Sequence, residues 1–405
     1  MSTRRVETAT LLVGLALALP IGIGLWTRRA RQISLNTPHP KQPSTFGSSE
    51  CQEILDSLPD NLRLVDDDPD RPNILNWSST PSALMASRFN GATVTFCIAP
   101  DWGTFEKILQ RSIGKKAVHL IADADFVGPT SLADPGEQAQ VDIVAVTGLS
   151  GHGFGSWRAR GKPAMWLRDF LPEDIPNARI ITYGYDTRLS KSQSNVSIRE
   201  LGKDLLEMLK NARLKHAHRP LILIGHSLGG LVIKRALVEA ARGNQEDRTV
   251  LISCYATLFF GVPNRGLRNE ALISMVKGQP NEDLIRSLGQ DSRVPLELSR
   301  RLLPVLPAPR LPGSVCLRDQ GDTYTRGTSI PMVPLLSGIH AGPNEDASCQ
   351  LSINANHSDL VKFKSRADFD YTKVARRIRG LASAAPMVVR ERFGDSAGGE
   401  LEWRS

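Results

Sequence analysis

Cysteine is scarce in this sequence, and the spacing of the few that are present excludes two kinds of cross-linked protein. The 405 residues include five cysteines, which are far apart and form no C-x-x-C pair. An odd, scattered set supports neither a disulfide framework nor a zinc site. We therefore expect reduced, buried thiols, which favour a folded body that faces the cytosol or a mitochondrial compartment.

Runs of positive charge are also absent from the body of the chain. The net charge is +8, but residues 1–50 alone contain six Lys or Arg residues against two acidic ones. The other basic residues are dispersed and are not interleaved with aromatic residues, so no nucleic-acid partner is predicted. A G-x-G-x-x-G motif is absent as well, because Ser156 stands where "GHGFGS" would need its third glycine. We expect no dinucleotide cofactor and no metal ion.

An uncharged run lies near the N-terminus. Between Glu7 and Arg28 are 20 residues without a charge, which as a helix would match the ~30 Å hydrocarbon layer of a membrane. We predict that residues 1–31 form a single-pass membrane anchor or a targeting segment. Two alternatives stay open: a secretory signal cleaved after residues 16–18, and a mitochondrial leader, which the Arg, Ser and Thr of the opening residues would suit. Residues 32–50 are rich in Pro, Ser and Thr and are predicted to be a flexible linker.

The remainder of the chain alternates between strand and helix patterns. Residues 51–140 are predicted to be an N-terminal extension of the main sheet, with strands at 91–98 and 116–123 and a helix at 104–113. Residues 141–381 are predicted to hold strands at 141–148, 178–185, 221–225, 255–262, 313–318 and 330–336, and helices at 165–171, 196–215, after Leu228 and at 369–381. Apolar strands separated by helices indicate a parallel sheet that is covered on both faces. Residues 382–405 are predicted to be a C-terminal tail.

A serine between two glycines follows one of these strands. In "LILIGHSLGGLVIKRALVEA", four apolar residues typical of a buried strand lead through Gly225, Ser227 and Gly229 into an amphipathic helix. Such a sharp turn strains the serine and lifts its hydroxyl above the sheet, while the glycines leave room for neighbouring backbone. The pattern predicts Ser227 as the nucleophile of an α/β-hydrolase fold. That fold has a mostly parallel central sheet, helices on both faces and a small helical cap, which we place at about residues 267–312.

The serine needs a base, and the late histidines are the candidates. His357, in "NANHSDLVKF", follows the last predicted strand, where this fold is expected to place its base. His340 follows the strand predicted to end near Leu336 and is its one serious rival. His226 adjoins the nucleophile and is expected to point elsewhere.

An acid should orient that imidazole from the loop after the second strand beyond the serine. This loop begins "RDQGD", so Asp319 is the predicted acid and Asp322 the alternative, while Glu345 and Asp346 are less favoured. Backbone amides should bind the oxyanion that forms during ester cleavage. We predict the amide of Leu228, directly after the serine, and that of Leu149 in the glycine-rich "TGLSGHGFGSW".

Six blocks of the sequence resemble, in order, one known family. They are "VDIVAVTGLSGHGFGSW", "MWLRDFLP", "ARIITYGYDT", "LILIGHSLGGLVIKRAL", "LFFGVPNRG" and "NANHSDLVKF". Over residues 90–380 the chain resembles the α/β-hydrolase domain of the serine active site-containing proteins, a lipase-like family common in filamentous fungi and related to the GPI inositol deacylases. The resemblance implies that Ser227 and His357 are nucleophile and base. It also implies ester or lipid-acyl hydrolysis at a mitochondrial or endoplasmic reticulum membrane.

These features predict a membrane-anchored serine esterase or lipase that cleaves lipid or acyl esters through Ser227, His357 and Asp319. The alternative is a catalytically inactive α/β-hydrolase fold that binds or signals at a membrane, which a poorly placed acid would favour. No oligomeric state is predicted.

Overall fold

The computed structural model describes most of residues 125–398 and four strands nearer the N-terminus. The described ranges are residues 10–16, 74–81, 90–96, 119–123, 125–162, 164–290, 292–305, 314–319, 333–334, 337–338 and 350–398. For the first four ranges and for residues 303–305, 314–319 and 395–398, only the backbone is described. His340, Asp322, Glu345, Asp346 and the predicted helix at 104–113 lie outside these ranges.

Four strands form a small antiparallel sheet in the order β2-β3-β1-β4. They are β1 (Thr10–Ala16), β2 (Ile74–Pro81), β3 (Asn90–Phe96) and β4 (His119–Asp123). Strands β3 and β4 correspond to the strands predicted at 91–98 and 116–123, but they belong to this separate sheet and not to the main one.

Strand β1 falls within the segment for which a spanning helix is predicted. Thr10–Ala16 is paired with β3 on one side and β4 on the other, and the rest of residues 1–31 lies outside the described ranges. The seven residues of β1 are too few for their apolar pattern to distinguish a strand from a helix. Pairing on both edges satisfies its backbone as well as a helix would. In the described part of the chain, no helix has the length and apolar character needed to cross a bilayer.

Seven strands form the main sheet in the order β11-β10-β9-β8-β6-β7-β5, with every neighbouring pair parallel except β5 and β7. They are β5 (Gly128–Ala133), β6 (Val141–Val146), β7 (Ala178–Gly184), β8 (Leu221–His226), β9 (Cys254–Phe260), β10 (Ser314–Asp319) and β11 (Gln350–Ile353). Every residue of β6 to β9 is buried, as expected for strands covered on both faces. Strand β8, which leads to Ser227, lies at the centre.

Helices cover both faces of this sheet. They are α1 (Trp166–Asp169), α2 (Leu171–Asp174), α3 (Ile198–Ala212), α4 (Leu228–Arg242), α5 (Gln245–Ser253), α6 (Glu270–Val276), α7 (Glu282–Ser287), α8 (Val294–Val305) and α9 (Phe369–Gly398). Because strand side chains alternate, Val144 and Leu223 pack in one core with α3 and α4, while Ile143 and Ile222 pack in the other with α1 and α9. The sheet order, the two helical layers and the turn at the end of β8 define the α/β-hydrolase fold.

Several elements differ from the sequence-based expectation, most clearly toward the C-terminus. Val333 and Pro334, inside the strand predicted at 330–336, are not in a strand, whereas β11 at 350–353 is not predicted. Helix α9 continues past residue 381 into the predicted tail, because Ala382, Ala385 and Val389 extend its buried face. Helices α6 to α8 lie between β9 and β10, where the cap is predicted.

Candidate active site

Ser227 forms a strained turn between β8 and α4. Its backbone has φ 51° and ψ −123°, a conformation that residues with a side chain rarely adopt. Its amide donates to the carbonyl of Phe260, at the end of β9, with an N to O distance of 2.9 Å. Ser227 is also the residue from which α4 begins, so the positive end of that helix faces it. This conformation agrees with the strained turn predicted from the sequence.

The glycines around Ser227 are required by close contacts between backbones. A Cβ atom added at Gly225 would lie 2.7 Å from Cα of Gly230, on the first turn of α4. A Cβ atom at Gly229 would collide with the carbonyl oxygens of Val146 and Thr147, at the end of β6. Larger residues at either position would therefore push the serine away from the sheet.

His357 lies in the loop that follows β11 and is buried, with 5% of its surface exposed. Its Nδ1 atom would lie 2.9 Å from a Cβ atom added at Gly261, which itself has φ +56°. Burial, together with the nearby charge of His226 when protonated, lowers the pKa of His357 to about 3. The imidazole is therefore neutral near pH 7, the form that can accept a proton from a serine.

Ser227 and His357 contact adjacent residues of one segment, and no direct hydrogen bond joins their side chains in this structure. The amide of Ser227 bonds to Phe260, and the next residue, Gly261, lies against the His357 ring. Catalytic hydrogen bonds are often long in unliganded enzymes and tighten when substrate binds. Among the side chains that the structure describes, none accepts a hydrogen bond from Nδ1 of His357.

His226 contributes to the site in a way that sequence analysis missed. Its Nε2 atom lies 2.9 Å from the backbone carbonyl oxygen of His357, and the two ring centroids are 5.1 Å apart. Burial lowers the pKa of His226 to about 4, so it too is neutral near pH 7. Its place next to the nucleophile was a signal for such a role, although a single sequence does not show where the ring points.

The glycine-rich loop after β6 lies close to Ser227. A Cβ atom added at Gly148 would lie 3.0 Å from Cβ of Ser227 and 3.1 Å from Nδ1 of His226. Within the described residues, the amides of Leu149 and Leu228 donate to no protein acceptor. Two free N–H groups near a serine are what an oxyanion requires. Both predicted donors are thus available for that role.

Residues that follow β7 hold this loop in place. The Tyr185 hydroxyl donates to the carbonyl oxygen of Thr147 at 2.7 Å. The Ser150 amide, in a residue with φ 52°, donates to both the backbone and the side-chain oxygen of Thr187 at 3.1 Å. The contacts on both sides of Leu149 therefore determine the direction of its amide. Neither tyrosine nor threonine was singled out from the sequence.

Asp319 is the last residue of β10, and only its backbone is described. Strand β10 lies between β9 and β11, and Asp319 is paired in register with Ile353, the last residue of β11. The chain beyond β9 carries Gly261, and the chain beyond β11 carries His357. The sheet therefore places the Asp319 backbone at the edge where both of these residues lie. In the described parts of the chain, no group of three or more His, Cys, Asp or Glu residues is arranged to hold a metal ion.

Comparison with known sequences finds relatives for part of the chain. It is 32% identical over 149 residues to Protein SERAC1 of Homo sapiens, a match that covers 32% of this chain and 22% of the relative. The SERAC1 protein of Danio rerio is 30% identical over 149 residues, covering 31% and 22%. The match therefore spans about a fifth of the length of these relatives. No protein-family model matches the chain.

Several solved structures match part of the chain at low sequence identity. Phospholipase PlaB from Legionella pneumophila in complex with thio-NAD is 14% identical, with 45% of this chain and 38% of that chain covered and a TM-score of 0.34. MenH from S. aureus is 13% identical, with 64% and 98% covered and a TM-score of 0.35. The assignment to the α/β-hydrolase fold rests on the order of the main sheet and the turn at Ser227, and the narrower relation to the serine active site-containing proteins and the GPI inositol deacylases stays a prediction.

Proposed function

We propose that this protein is a serine hydrolase that cleaves carboxylic esters, with lipid-derived acyl esters as its substrate class. The observation that carries the proposal is the strained turn that presents Ser227 at the carboxyl edge of the sheet, with its amide bonded to Phe260 and the His357 ring lying against the next residue, Gly261. A serine hydroxyl is a poor nucleophile until a base removes its proton, and a neutral imidazole can do so. The free amides of Leu149 and Leu228 support the same chemistry.

The reaction would proceed through an acyl-enzyme. The Oγ atom of Ser227 attacks the ester carbonyl carbon while Nε2 of His357 takes the hydroxyl proton. The carbonyl oxygen becomes negative and accepts hydrogen bonds from the amides of Leu149 and Leu228. When the tetrahedral intermediate collapses, the protonated His357 gives its proton to the departing alcohol. Water then attacks the acyl-Ser227 ester by the same steps, releasing the carboxylic acid.

Asp319 would accept a hydrogen bond from the Nδ1–H group of His357 and so fix the tautomer that leaves Nε2 free. The sheet register that places its backbone beside the β11 end supports this assignment. The predicted cap, helices α6 to α8, would cover the acyl chain.

The test is labelling of the full chain with a fluorophosphonate probe, together with hydrolysis of short p-nitrophenyl esters. We expect Ser227→Ala to remove the labelling and to lower hydrolysis by more than about 10³-fold, as loss of a catalytic nucleophile does. Ser274→Ala on helix α6 is the matched control, because its hydroxyl bonds only to the carbonyl of Glu270 on an exposed helix face. Equal labelling of the wild type and Ser227→Ala would refute the nucleophile assignment.

A second candidate is a catalytically inactive hydrolase fold that binds an acyl ligand or a partner. The observation in its favour is the lack of a described hydrogen-bond partner for Nδ1 of His357. An unlabelled wild-type protein that is folded would support this alternative over the hydrolase.

A further inference from the structure

Two buried histidines, His226 and His357, lie side by side near the proposed nucleophile. His226 is the last residue of β8 and directly precedes Ser227, and 9% of its surface is exposed. Its ring is tilted by 37° to that of His357. The direct polar contact between them joins a side chain to a backbone: Nε2 of His226 and the carbonyl oxygen of His357 are 2.9 Å apart.

The chemistry of this contact determines which atom donates. A carbonyl oxygen can only accept, so the proton of His226 lies on Nε2 and its Nδ1 carries the lone pair. The Nδ1 side faces Gly148 of the oxyanion loop, 3.1 Å from the position of an added Cβ atom. One imidazole thus contacts the base loop with one edge and the oxyanion loop with the other.

The loop that carries His357 needs such a contact. It follows β11, a four-residue strand at the edge of the sheet, and an edge strand holds the chain from one side only. Further along, Nε1 of Trp166 donates to the carbonyl of Val361 at 2.9 Å. Within the loop, the amides of Asp359 and Leu360 bond back to Asn356. In the described part of the chain, His226 makes the hydrogen bond that joins the His357 backbone to the central strand.

We propose that His226 is a positioning residue: through its bond to the His357 carbonyl it sets the distance between the imidazole of His357 and the hydroxyl of Ser227. The inference rests on the proposed serine hydrolase function. The bond ties the base to the same strand that presents the nucleophile, so both groups move with β8. A displacement near 1 Å between reacting groups can cost about 10²-fold in rate, and a single hydrogen bond can prevent a displacement of that size.

Three substitutions separate this role from simple packing. In His226→Gln the amide nitrogen takes the place of Nε2, so the bond to the His357 carbonyl is kept. In His226→Asn the amide nitrogen takes the place of Nδ1 and cannot reach that carbonyl. His226→Met fills the space without donating a hydrogen bond. Gln and Met are both close in size to His, so a packing role alone would affect these two variants similarly.

We expect His226→Gln to keep kcat within about threefold of the wild type, and His226→Asn and His226→Met to lose roughly 10- to 100-fold in kcat with KM little changed. The rates are measured on a p-nitrophenyl ester and divided by the active sites counted with a fluorophosphonate probe, so that misfolded protein does not contribute. Equal kcat values in all three variants, whether near the wild-type value or reduced by the same factor, would overturn the proposal.

A measurement that needs no activity separates failure of this proposal from failure of the hydrolase assignment. In ¹⁵N NMR spectra of histidine-labelled protein, including Ser227→Ala, we expect His226 as the Nε2–H tautomer with a slowly exchanging proton. The His357 resonances should stay unchanged in His226→Gln and shift in His226→Met. An Nδ1–H tautomer of His226 would refute the contact even if hydrolysis is present. Absence of labelling in the wild type with the expected tautomer would refute the hydrolase and leave the contact established.

Discussion

The surrounding chain imposes an unusual backbone conformation on Ser227 and a lowered pKa on His357. Ser227 has φ 51°, a conformation that costs of order 1–3 kcal/mol and persists only where neighbours hold it. His357 is kept neutral because burial lowers its pKa to about 3. The backbone of Phe260 and Gly261 contacts both residues, so one short segment at the end of β9 supports the strained serine and the buried base.

A single hydroxyl group, that of Tyr185, should fix the position of the proposed oxyanion loop. Tyr185→Phe removes the bond to the Thr147 carbonyl at 2.7 Å and frees the peptide that precedes Gly148. We expect kcat for ester hydrolysis to fall by roughly 10-fold, less than the loss of an oxyanion donor itself. Tyr183→Phe is the matched control, because Tyr183 is also buried and its ring lies 5.9 Å from that of Tyr185. Similar rates for the two variants would contradict the role of Tyr185.

At the scale of elements, the parallel strands bring their carboxyl ends to one edge, and each contributes a different part of the site. Strand β6 leads to the proposed oxyanion loop, β8 to the proposed nucleophile Ser227, β9 to Gly261 and β11 to the loop with His357. Ligands of open α/β sheets bind at this edge. Strand β10 ends there as well, which is why its last residue is the proposed acid.

The assignment of the catalytic acid can be tested by replacing each of the two candidates, Asp319 at the end of β10 and Asp322 in the sequence that follows. We expect Asp319→Asn to lower kcat by about 10³- to 10⁴-fold, because an amide at this position favours the wrong tautomer of the base. Asp322→Asn should change kcat by less than about threefold. Both are measured on the same ester substrate, with thermal unfolding as a check on folding. If Asp322→Asn causes the larger loss, the acid comes from the loop and not from the strand.

At the scale of the whole molecule, a charged cluster joins elements at the opposite edge of the sheet from the site. Asp142 of β6 is fully buried and pairs with Arg179, Arg213 and Arg219 at 2.8, 2.9 and 3.1 Å. Burial alone would raise the pKa of Asp142, but the three guanidinium groups outweigh it and lower the pKa below its usual range. The carboxylate thereby connects β6, β7, the end of α3 and the chain entering β8.

Removal of this charge should destabilise the entire fold. We expect Asp142→Asn to reduce the free energy of unfolding by about 3–5 kcal/mol at pH 7, because buried guanidinium groups lose their counter-ion. In the exposed pair of Glu297 and Arg301, Glu297→Gln should cost at most about 1 kcal/mol. The folded-state pKa of Asp142 lies below the unfolded value of about 3.9. The stabilisation by the ionised carboxylate is therefore fully present above the unfolded pKa and is lost as the pH falls through the folded pKa.

Urea unfolding at several pH values measures both effects. The difference between the wild type and Asp142→Asn should be constant near neutral pH and should shrink below about pH 4, where the unfolded carboxyl is protonated. A difference that stays constant to low pH would mean that the lowered pKa does not contribute. An effect of Asp142→Asn no larger than that of Glu297→Gln would mean that the cluster is not a main source of stability.

The sequence by itself determined the features that depend on neighbouring residues. The apolar run 221–224, the glycines around Ser227 and the amphipathic pattern after Leu228 are contiguous, and they encode a buried strand, a sharp turn and a helix. The strands predicted at 141–148, 178–185, 221–225, 255–262 and 313–318 correspond to β6 to β10, and the complete burial of β6 to β9 agrees with their largely apolar sequences. The choice of Ser227 as candidate nucleophile required no more than this local pattern.

Only the tertiary structure decided which distant segments meet. The bond from His226 to the His357 carbonyl and the bond from Tyr185 to Thr147 join residues 131 and 38 positions apart, and neither residue type reveals its partner. The short strand β11 has little apolar pattern and forms by pairing with β10. Strand β1 likewise takes its form from partners on both sides and not from its own apolar run. Local patterns encode local conformation, whereas hydrogen-bond partners across the sheet are set by how the completed fold brings the chain together.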